Sequence, residues 1–168
     1  MATVTHWLDP KGADVFTTVN APEWVQANGT NFPKSGYAFD GGSSVEAMFF
    51  EVPAVNYAAA GNLTLLIDFY TSATSNATVF QAAISATTDG EAQSMLTDAF
   101  ATATNSGGVT SNSTANGHKR ATITISNLDS LADGDRFTLK VFRDPTNGSD
   151  TNTSDAIIFG CWLQYTST

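Results

Sequence analysis

The sequence predicts an all-β fold, an antiparallel β-sandwich of eight or nine strands, from three observations. Short apolar runs alternate with polar residues, clusters of Gly, Asn and Asp separate these runs, and no long amphipathic helix is visible. The composition agrees, since hydrophobic residues make up 42% of the 168 residues and charged residues only 14%. Thr, Ser, Asn and Gly dominate the remainder, and these residues suit strands and turns better than helices.

Four segments in the later part of the chain show the period of two that is expected of half-buried strands. They are residues 63–70, 121–126, 136–141 and 157–165. In the last segment, this period predicts that Phe159 faces one side with Cys161 while Trp162 faces the other. Because both faces carry apolar residues, this strand is predicted either to be covered on both sides or to lie at a subunit contact.

Five further segments are weaker strand candidates, and two polar segments are predicted to be loops. The strand candidates are residues 3–8, 35–39, 45–52, 78–86 and 95–102. The last of these lies in a stretch rich in Ala, Gln, Met and Leu that would also suit a short helix, and extended structure is favoured there. Residues 106–118 are predicted to be an exposed loop, and residues 144–155 a polar connection between two strong strands. The whole pattern predicts a sandwich or a barrel, and a jelly-roll-like sandwich over residues 31–168 is favoured.

The first 30 residues follow neither a helical nor a strand period over most of their length. Trp7, Phe16 and Trp24 are widely spaced there among Pro, Gly and Asp. We therefore expect residues 1–30 to form an irregular arm that packs by its aromatic side chains. This arm would either be part of the same domain or lie on a neighbouring subunit.

The charge disfavours two classes of partner. The chain carries 16 acidic residues against 7 basic ones, a formal net charge of −9. Such a surface is repelled by phosphate backbones and by anionic lipids, so we expect no nucleic-acid and no membrane partner. The N-terminus lacks the basic and apolar regions of a signal peptide, and no apolar run approaches the roughly 18 residues of a membrane span. We therefore expect the protein to stay in the cytoplasm where it is made, or to be assembled there into something larger.

No catalytic constellation and no cofactor or metal site is predicted. His6 and His118 lie far apart in the sequence and fit no metal-ligand or nucleophile–base pattern. Several aspartates in the last quarter sit at strand ends and in turns, where Asp is ordinarily found. The single cysteine, Cys161, lies in an apolar run and is predicted to be a buried small hydrophobe.

A structural ion pair is predicted in the loop after residue 143. Arg143 ends a predicted strand and, if it faces inward in this acidic chain, needs an acidic partner. Asp150 and Asp155 are the two candidates across the loop. The oxygen-rich run 144–150 misses the calcium-loop spacing, so a turn held by its own hydrogen bonds is favoured over a cation site.

The closing part of the chain resembles a family of tailed-phage virion proteins with a jelly-roll domain. The similar residues are the runs 131–144, 149–150, 155–160 and 163–165, which combine an Ala-Asp-Gly-Asp turn, a strand ending in Arg-Asp, an Asp-rich loop and a final strand. Upstream, Trp7, Asp9-Pro10, the run 37–40 and the run 49–53 are also similar. The run 160–163 is bulkier and more apolar than the polar alternation of that family's final strand.

The resemblance implies an outer virion component, such as a capsid decoration (cement) protein, and often a homotrimer. The expected partner is then the major capsid protein of a phage head, and the expected location is the capsid surface of a virion assembled in the host cytoplasm. Trp7, Phe16, Trp24 and Trp162 are the predicted capsid or subunit contacts. The role would be mechanical, because a protein that binds only the assembled shell stabilises that shell.

Two alternatives to the decoration role remain open. The first is a receptor- or glycan-binding domain on a tail or head fibre, since exposed Trp7, Trp24 and Trp162 could stack on sugars. The second is an enzyme such as a polysaccharide depolymerase, which would need paired acids in a groove. The absence of such a pair makes the enzyme the less favoured of the two.

Overall fold

Alternating apolar and polar residues build two antiparallel sheets that face each other, as seen in a computed structural model that describes residues 2–16, 20–42, 44–59 and 61–168. In chain order the strands are β1 (Thr3–Leu8), β2 (Asp14–Val15), β3 (Glu23–Asn28), β4 (Pro33–Phe39), β5 (Glu46–Pro53), β6 (Leu63–Tyr70), β7 (Ala77–Thr78), β8 (Phe80–Thr87), β9 (Thr104–Asn105), β10 (Val109–Thr110), β11 (Lys119–Ile125), β12 (Arg136–Arg143) and β13 (Ala156–Thr166). The predicted all-β antiparallel sandwich is confirmed. Within the described residues, nine strands have six or more residues and the other four have two.

The strands form two sheets and a short ribbon. The six-stranded sheet has the order β11-β6-β13-β4-β3, and β1 is added beside the second half of β13. The five-stranded sheet has the order β2-β5-β12-β8-β9, and a separate ribbon pairs β10 with β7. A 3₁₀ turn, Pro10–Gly12, follows β1. No helical segment of the described ranges has the length and apolar character of a membrane span.

The core lies between the two sheets and is built by the strands that the period of two predicts most strongly. Leu65 and Ile67 of β6 and Leu139 and Val141 of β12 are fully buried, at 0% exposure. Their neighbours along each strand point to the outer faces of the sandwich. Each such buried side chain contributes roughly 1.5–3 kcal/mol relative to an exposed one, so these strands supply much of the stability.

Two of the local predictions are wrong. Residues 95–102 do not form a strand, because the Ser94 carbonyl accepts hydrogen bonds from the amides of Thr97 and Asp98 and holds a turn. Leu96 is left 95% exposed, with no sheet against it. The predicted exposed loop 106–118 contains β10, and Ser111 is buried there while its hydroxyl donates to the Asn76 carbonyl at 2.7 Å.

The segment 1–30 is not irregular where it forms β1, β2 and β3. Strand β1 pairs with β13, β3 pairs with β4, and β2 pairs with β5, so both sheets incorporate this segment. Strand β3 escapes a prediction from alternation because it is an edge strand whose side chains are nearly all exposed. A role of this segment between subunits stays a prediction.

Arg143 is a buried cation at the end of β12, with an exposed fraction of 1%. Its Nε and Nη2 atoms donate to the Asp150 carboxylate at 3.0 and 2.9 Å. Its Nη1 atom donates to the carbonyls of Phe39, at 3.1 Å, and Ser154, at 2.8 Å. Asp155, the other acid predicted as a partner, is exposed and makes no ion pair with Arg143 within the described residues. The guanidinium therefore ties the loop after β12 to β4.

Replacing Asp150 with Asn should lower the free energy of unfolding by roughly 3–5 kcal/mol, because Arg143 would be left as a buried charge without its counter-charge. The matched control is Asp155→Asn, which removes an exposed acid from the same loop and should change stability by no more than about 0.5 kcal/mol. Urea unfolding of the two variants measures both values. Equal effects of the two substitutions would contradict this role of Asp150.

Candidate functional site

Two tryptophans lie against each other on the outer face of the six-stranded sheet. Trp7 of β1 and Trp162 of β13 are cross-strand partners, with ring centroids 4.7 Å apart and planes at 61°. Trp7 is 53% exposed, and Trp162 is half-buried. Phe159, also half-buried, comes three residues before Trp162 in β13 and lies on the same side of the sheet. We call Trp7, Phe159 and Trp162 the aromatic face.

A shift in the pairing of β13 places Phe159 and Trp162 on the same face. The register between β13 and β6 changes between Ile158 and Gly160, and residues 160 and 161 are both buried. A β-bulge of this kind changes which side the following side chains face. The sequence prediction that Phe159 and Trp162 face opposite sides is therefore wrong, because an unbroken period of two does not hold through the bulge.

Gly160 provides the room for the indole of Trp7. A Cβ atom at Gly160 would lie 3.0 Å from Cη2 and 3.3 Å from Cζ3 of Trp7, and 3.5 Å from Cη2 of Trp162. Both rings therefore pack over the backbone of β13 at this residue. The departure of this strand from polar alternation, seen in the sequence, is the feature that builds the aromatic face.

A charged network borders the aromatic face. Arg120 of β11 donates from Nε and Nη2 to the Asp68 carboxylate of β6, at 2.6 and 2.9 Å. Nε2 of His118 lies 2.9 Å from the same carboxylate. The Arg120 guanidinium carbon lies 4.8 Å from the ring centroid of Trp162. The buried acid thus holds an exposed arginine in a fixed position beside the indole.

The ionisation of Asp68 follows from these contacts. Burial by itself raises the pKa of Asp68, but the hydrogen bonds from Arg120 and His118 bring it below its usual range. The carboxylate therefore stays charged at neutral pH and keeps its basic neighbours in place.

A cavity of about 710 Å³ adjoins the aromatic face at Phe159. Its walls include the turn between β3 and β4, with Asn28 and the 70% exposed Phe32, and the side chains of Lys34, Tyr70 and His118. Gly29 fits this turn because a Cβ there would lie 2.8 Å from the Phe32 carbonyl oxygen, which accepts the Gly29 amide hydrogen bond. The tight turn presents Phe32 at the rim.

Tyr70 is one of the residues that line this cavity and is only 7% exposed. Its hydroxyl is buried and has no hydrogen-bond partner within the described residues. Most buried hydroxyls in proteins are paired, because an unpaired one loses its bonds to water without compensation. Burial also raises the pKa of Tyr70, so the hydroxyl remains a protonated donor at neutral pH.

The four predicted contact aromatics do not form one cluster. Trp7 and Trp162 lie together, whereas Trp24 is on β3, 39% exposed, and packs edge-on against Tyr37 at 5.1 Å. Phe16, which is 57% exposed, follows β2 of the other sheet and packs against Phe49 at 5.2 Å. The structure thus separates a tryptophan pair from two isolated exposed aromatics.

The carboxylates of the last quarter accept backbone hydrogen bonds in turns. Asp133 accepts from the Tyr57 amide at 2.9 Å, and Asp135 accepts from the Ala132 amide at 2.8 Å. Among the residues that the structure describes, no group of three or more His, Cys, Asp or Glu side chains is placed to hold a metal ion.

Sequence reasoning did not identify Lys34, Asp68, Tyr70 or Arg120, and it gave His118 no role in a site. A charge at residue 68, in the middle of an otherwise apolar strand, was the available signal, since such a residue needs a partner on a neighbouring strand. Its partners come from β11 and the loop before it, and the alternation within one strand does not show which strand is the neighbour.

No family model matches the sequence, and no curated protein matches it. Among solved structures, a family 35 carbohydrate-binding module from Clostridium thermocellum is similar, with 14% identity and a TM-score of 0.51 over 95% of this chain and 97% of that chain. The C-terminal family 6 carbohydrate-binding module of a marine laminarinase from Zobellia galactanivorans has 8% identity and a TM-score of 0.46, covering 96% of this chain and 98% of that chain. The infectious bursal disease virus Gx strain structure has 9% identity and a TM-score of 0.44, covering 98% of this chain and 33% of that chain. At such low identity the similarity concerns the fold, which is a jelly-roll β-sandwich.

Replacing Gly160 with Val should separate the two indoles of the aromatic face, because the added carbon atoms would occupy the position of the Trp7 ring. We expect the far-ultraviolet circular dichroism couplet of the paired indoles to be lost, as it should be in Trp7→Ala. Trp24→Ala is the control and should retain the couplet. A couplet that persists in Gly160→Val would show that Trp7 does not lie over this residue.

Proposed function

We propose that this chain is a carbohydrate-binding β-sandwich that holds a glycan across its aromatic face. The single observation that carries the proposal is the pair of the exposed Trp7 and the half-buried Trp162, packed over Gly160 on the outer face of the six-stranded sheet. The C–H groups on one side of a pyranose ring form a flat apolar surface that packs well on an aromatic ring.

The polar groups beside the aromatic face fit the hydroxyl groups of a sugar. Arg120 has N–H groups left over to donate, and the ring nitrogen of His118 that does not face Asp68 can bond a hydroxyl, while the buried Asp68 carboxylate holds both side chains in place. Because the three side chains are already bonded to one another, binding would order few additional side chains. A sugar-binding site needs this combination of an apolar platform and fixed polar groups.

The shared fold is compatible with this function without assigning it. The module from Clostridium thermocellum described above is named as carbohydrate-binding, but one fold serves many functions. The proposal therefore depends on the side chains of this chain and not on the similarity.

The test is a glycan array followed by titration calorimetry of the strongest ligand. Trp7→Ala and Trp162→Ala should each weaken binding by about tenfold or more, the loss typical of an aromatic residue at the centre of a contact. Trp24→Ala is the matched control, because it removes an exposed tryptophan from the same sheet but outside the aromatic face. Binding that is lost equally in all three variants, or no glycan bound at all, would overturn the proposal.

A second candidate function is decoration of a phage capsid, as the resemblance to virion proteins implies. The observation that favours it is the exposure of Phe16 and Trp24, two aromatic side chains outside the aromatic face. On this proposal they would anchor the chain, as a homotrimer, to the major capsid protein of the shell.

Sedimentation of the purified chain with expanded phage capsids tests this second candidate. Phe16→Ala and Trp24→Ala should reduce the bound fraction, since each removes an apolar anchor, while Trp7→Ala should leave it unchanged. The opposite ranking, or no co-sedimentation at any concentration, would exclude these two residues as a capsid anchor.

A further inference from the structure

The cavity beside Phe159 differs in charge from the rest of the chain. The chain has 16 acidic and 7 basic residues, yet no Asp or Glu is found among the described residues that line this cavity. The ionisable side chains that line it are Lys34, His118 and the protonated Tyr70. Lys34 brings a positive charge to the cavity, and this charge lowers the energy of a bound negative group.

Lys34 is held in place without an acidic partner. Its ammonium nitrogen lies 4.0 Å from the ring centroid of Phe159, and within the described residues it forms no salt bridge. His118 packs edge-on against the same ring, with centroids 5.6 Å apart. Phe159 thus positions a cation and an imidazole ring at the cavity, and the charge of Lys34 remains available to a ligand.

The Tyr70 hydroxyl is an independent observation that points to a ligand. It is a buried donor, its side chain is more than nine-tenths buried, and no acceptor meets it within the described residues. The hydroxyl is closed to solvent in the unbound chain, so the Tyr70 side chain would shift on binding, and an oxygen atom of a molecule in the cavity would then supply the acceptor. The volume of about 710 Å³ lies within the range of roughly 300–1,000 Å³ that is usual for small-molecule sites.

We propose that this cavity binds a negatively charged sugar residue of the glycan, with Lys34 facing the anionic group and Tyr70 donating to one of its oxygens. This inference rests on the proposed glycan-binding function and specifies its ligand class as acidic saccharides, either uronates or sulfate esters. Phe159 and Trp162 are three residues apart on β13, at most about 10 Å at the usual rise of a strand, so a short oligosaccharide spans both. The aromatic face holds the neutral part of the chain, and the cavity selects the charged residue.

The experiment measures, by calorimetry, the affinity of the full chain for three oligosaccharides that differ at one residue. The three are a neutral form, its C6 uronate and its C6 sulfate. We expect at least one acidic form to bind about tenfold more tightly than the neutral form, because a charge-assisted contact is added. Lys34→Gln should remove this preference, because the side chain keeps a hydrogen-bond donor but loses its charge. Preference for the uronate or for the sulfate alone identifies which anionic group is recognised, and either result supports the proposal.

Two further variants separate the cavity from general charge and folding effects. Lys140→Gln is the matched control, because Lys140 also lies over an aromatic ring, 4.7 Å from the centroid of Phe142, but on the five-stranded sheet. It should keep the full preference for the acidic form. Tyr70→Phe should weaken acidic binding by about threefold, the loss of one hydrogen bond, while its melting temperature does not fall.

The outcomes distinguish this inference from the function on which it rests. Equal affinity for neutral and acidic forms, abolished by Trp7→Ala, would overturn the cavity assignment and leave glycan binding standing. An equal loss of preference in Lys34→Gln and Lys140→Gln would also overturn it, because general charge would then be the cause. If no saccharide on the array binds to the chain, both proposals are overturned.

Discussion

Strand β13 must satisfy its backbone hydrogen bonds with three neighbours, and the way it does so determines the surface of the six-stranded sheet. One edge pairs with β6, while the other pairs first with β4 and then with β1. The bulge before Gly160 lies where the pairing passes from β4 to β1. It turns Phe159 and Trp162 to the same side, and β1 brings Trp7 beside them. The proposed site therefore follows from a constraint on the backbone, and its side chains use the surface that this constraint creates.

Two arginine–aspartate pairs have different roles because they differ in exposure. Both partners of the Arg143–Asp150 pair are 1% exposed, and Arg143 also donates to backbone carbonyls, so it is part of the fold. In the Arg120–Asp68 pair the acid is 5% exposed but the arginine is 45% exposed. Arg120 therefore compensates a buried carboxylate and at the same time presents a donor and a cation at the surface beside Trp162.

The sandwich could be predicted from the sequence because, in a strand with one buried face, the alternation of apolar and polar residues shows which side chains face the core. Leu63–Tyr70 and Arg136–Arg143 show this, and the predicted Thr3–Leu8 has the bounds of the strand in the structure. Edge strand β3 could not be predicted in this way, since nearly all of its side chains are exposed and neither face requires apolar residues. The sequence left Asp150 and Asp155 as alternative partners of Arg143, because the geometry of the loop, and not the spacing in the sequence, decides which carboxylate reaches the buried guanidinium.

The candidate site was predictable only in part. Trp7 and Trp162 could be selected as candidate contact residues, but their contact with each other depends on the register of β1 with β13. The face of Phe159 was misassigned, because a bulge adds a residue without a clear mark in the sequence other than glycine. The cavity combines the β3–β4 turn with Tyr70 and His118, which come from three distant parts of the chain. Such a combination is set by sheet order, and sheet order is a property of the whole fold.

The most direct test of the central claim, that the aromatic face holds a glycan, follows the indole N–H signals of the three tryptophans by NMR while an oligosaccharide is titrated into labelled protein. Glycan binding across the aromatic face predicts that the signals of Trp7 and Trp162 shift together along one saturation curve and that the signal of Trp24 stays in place. A shift confined to Trp24, or no shift of Trp7 and Trp162 at a saturating concentration of a ligand that calorimetry shows to bind, would contradict it.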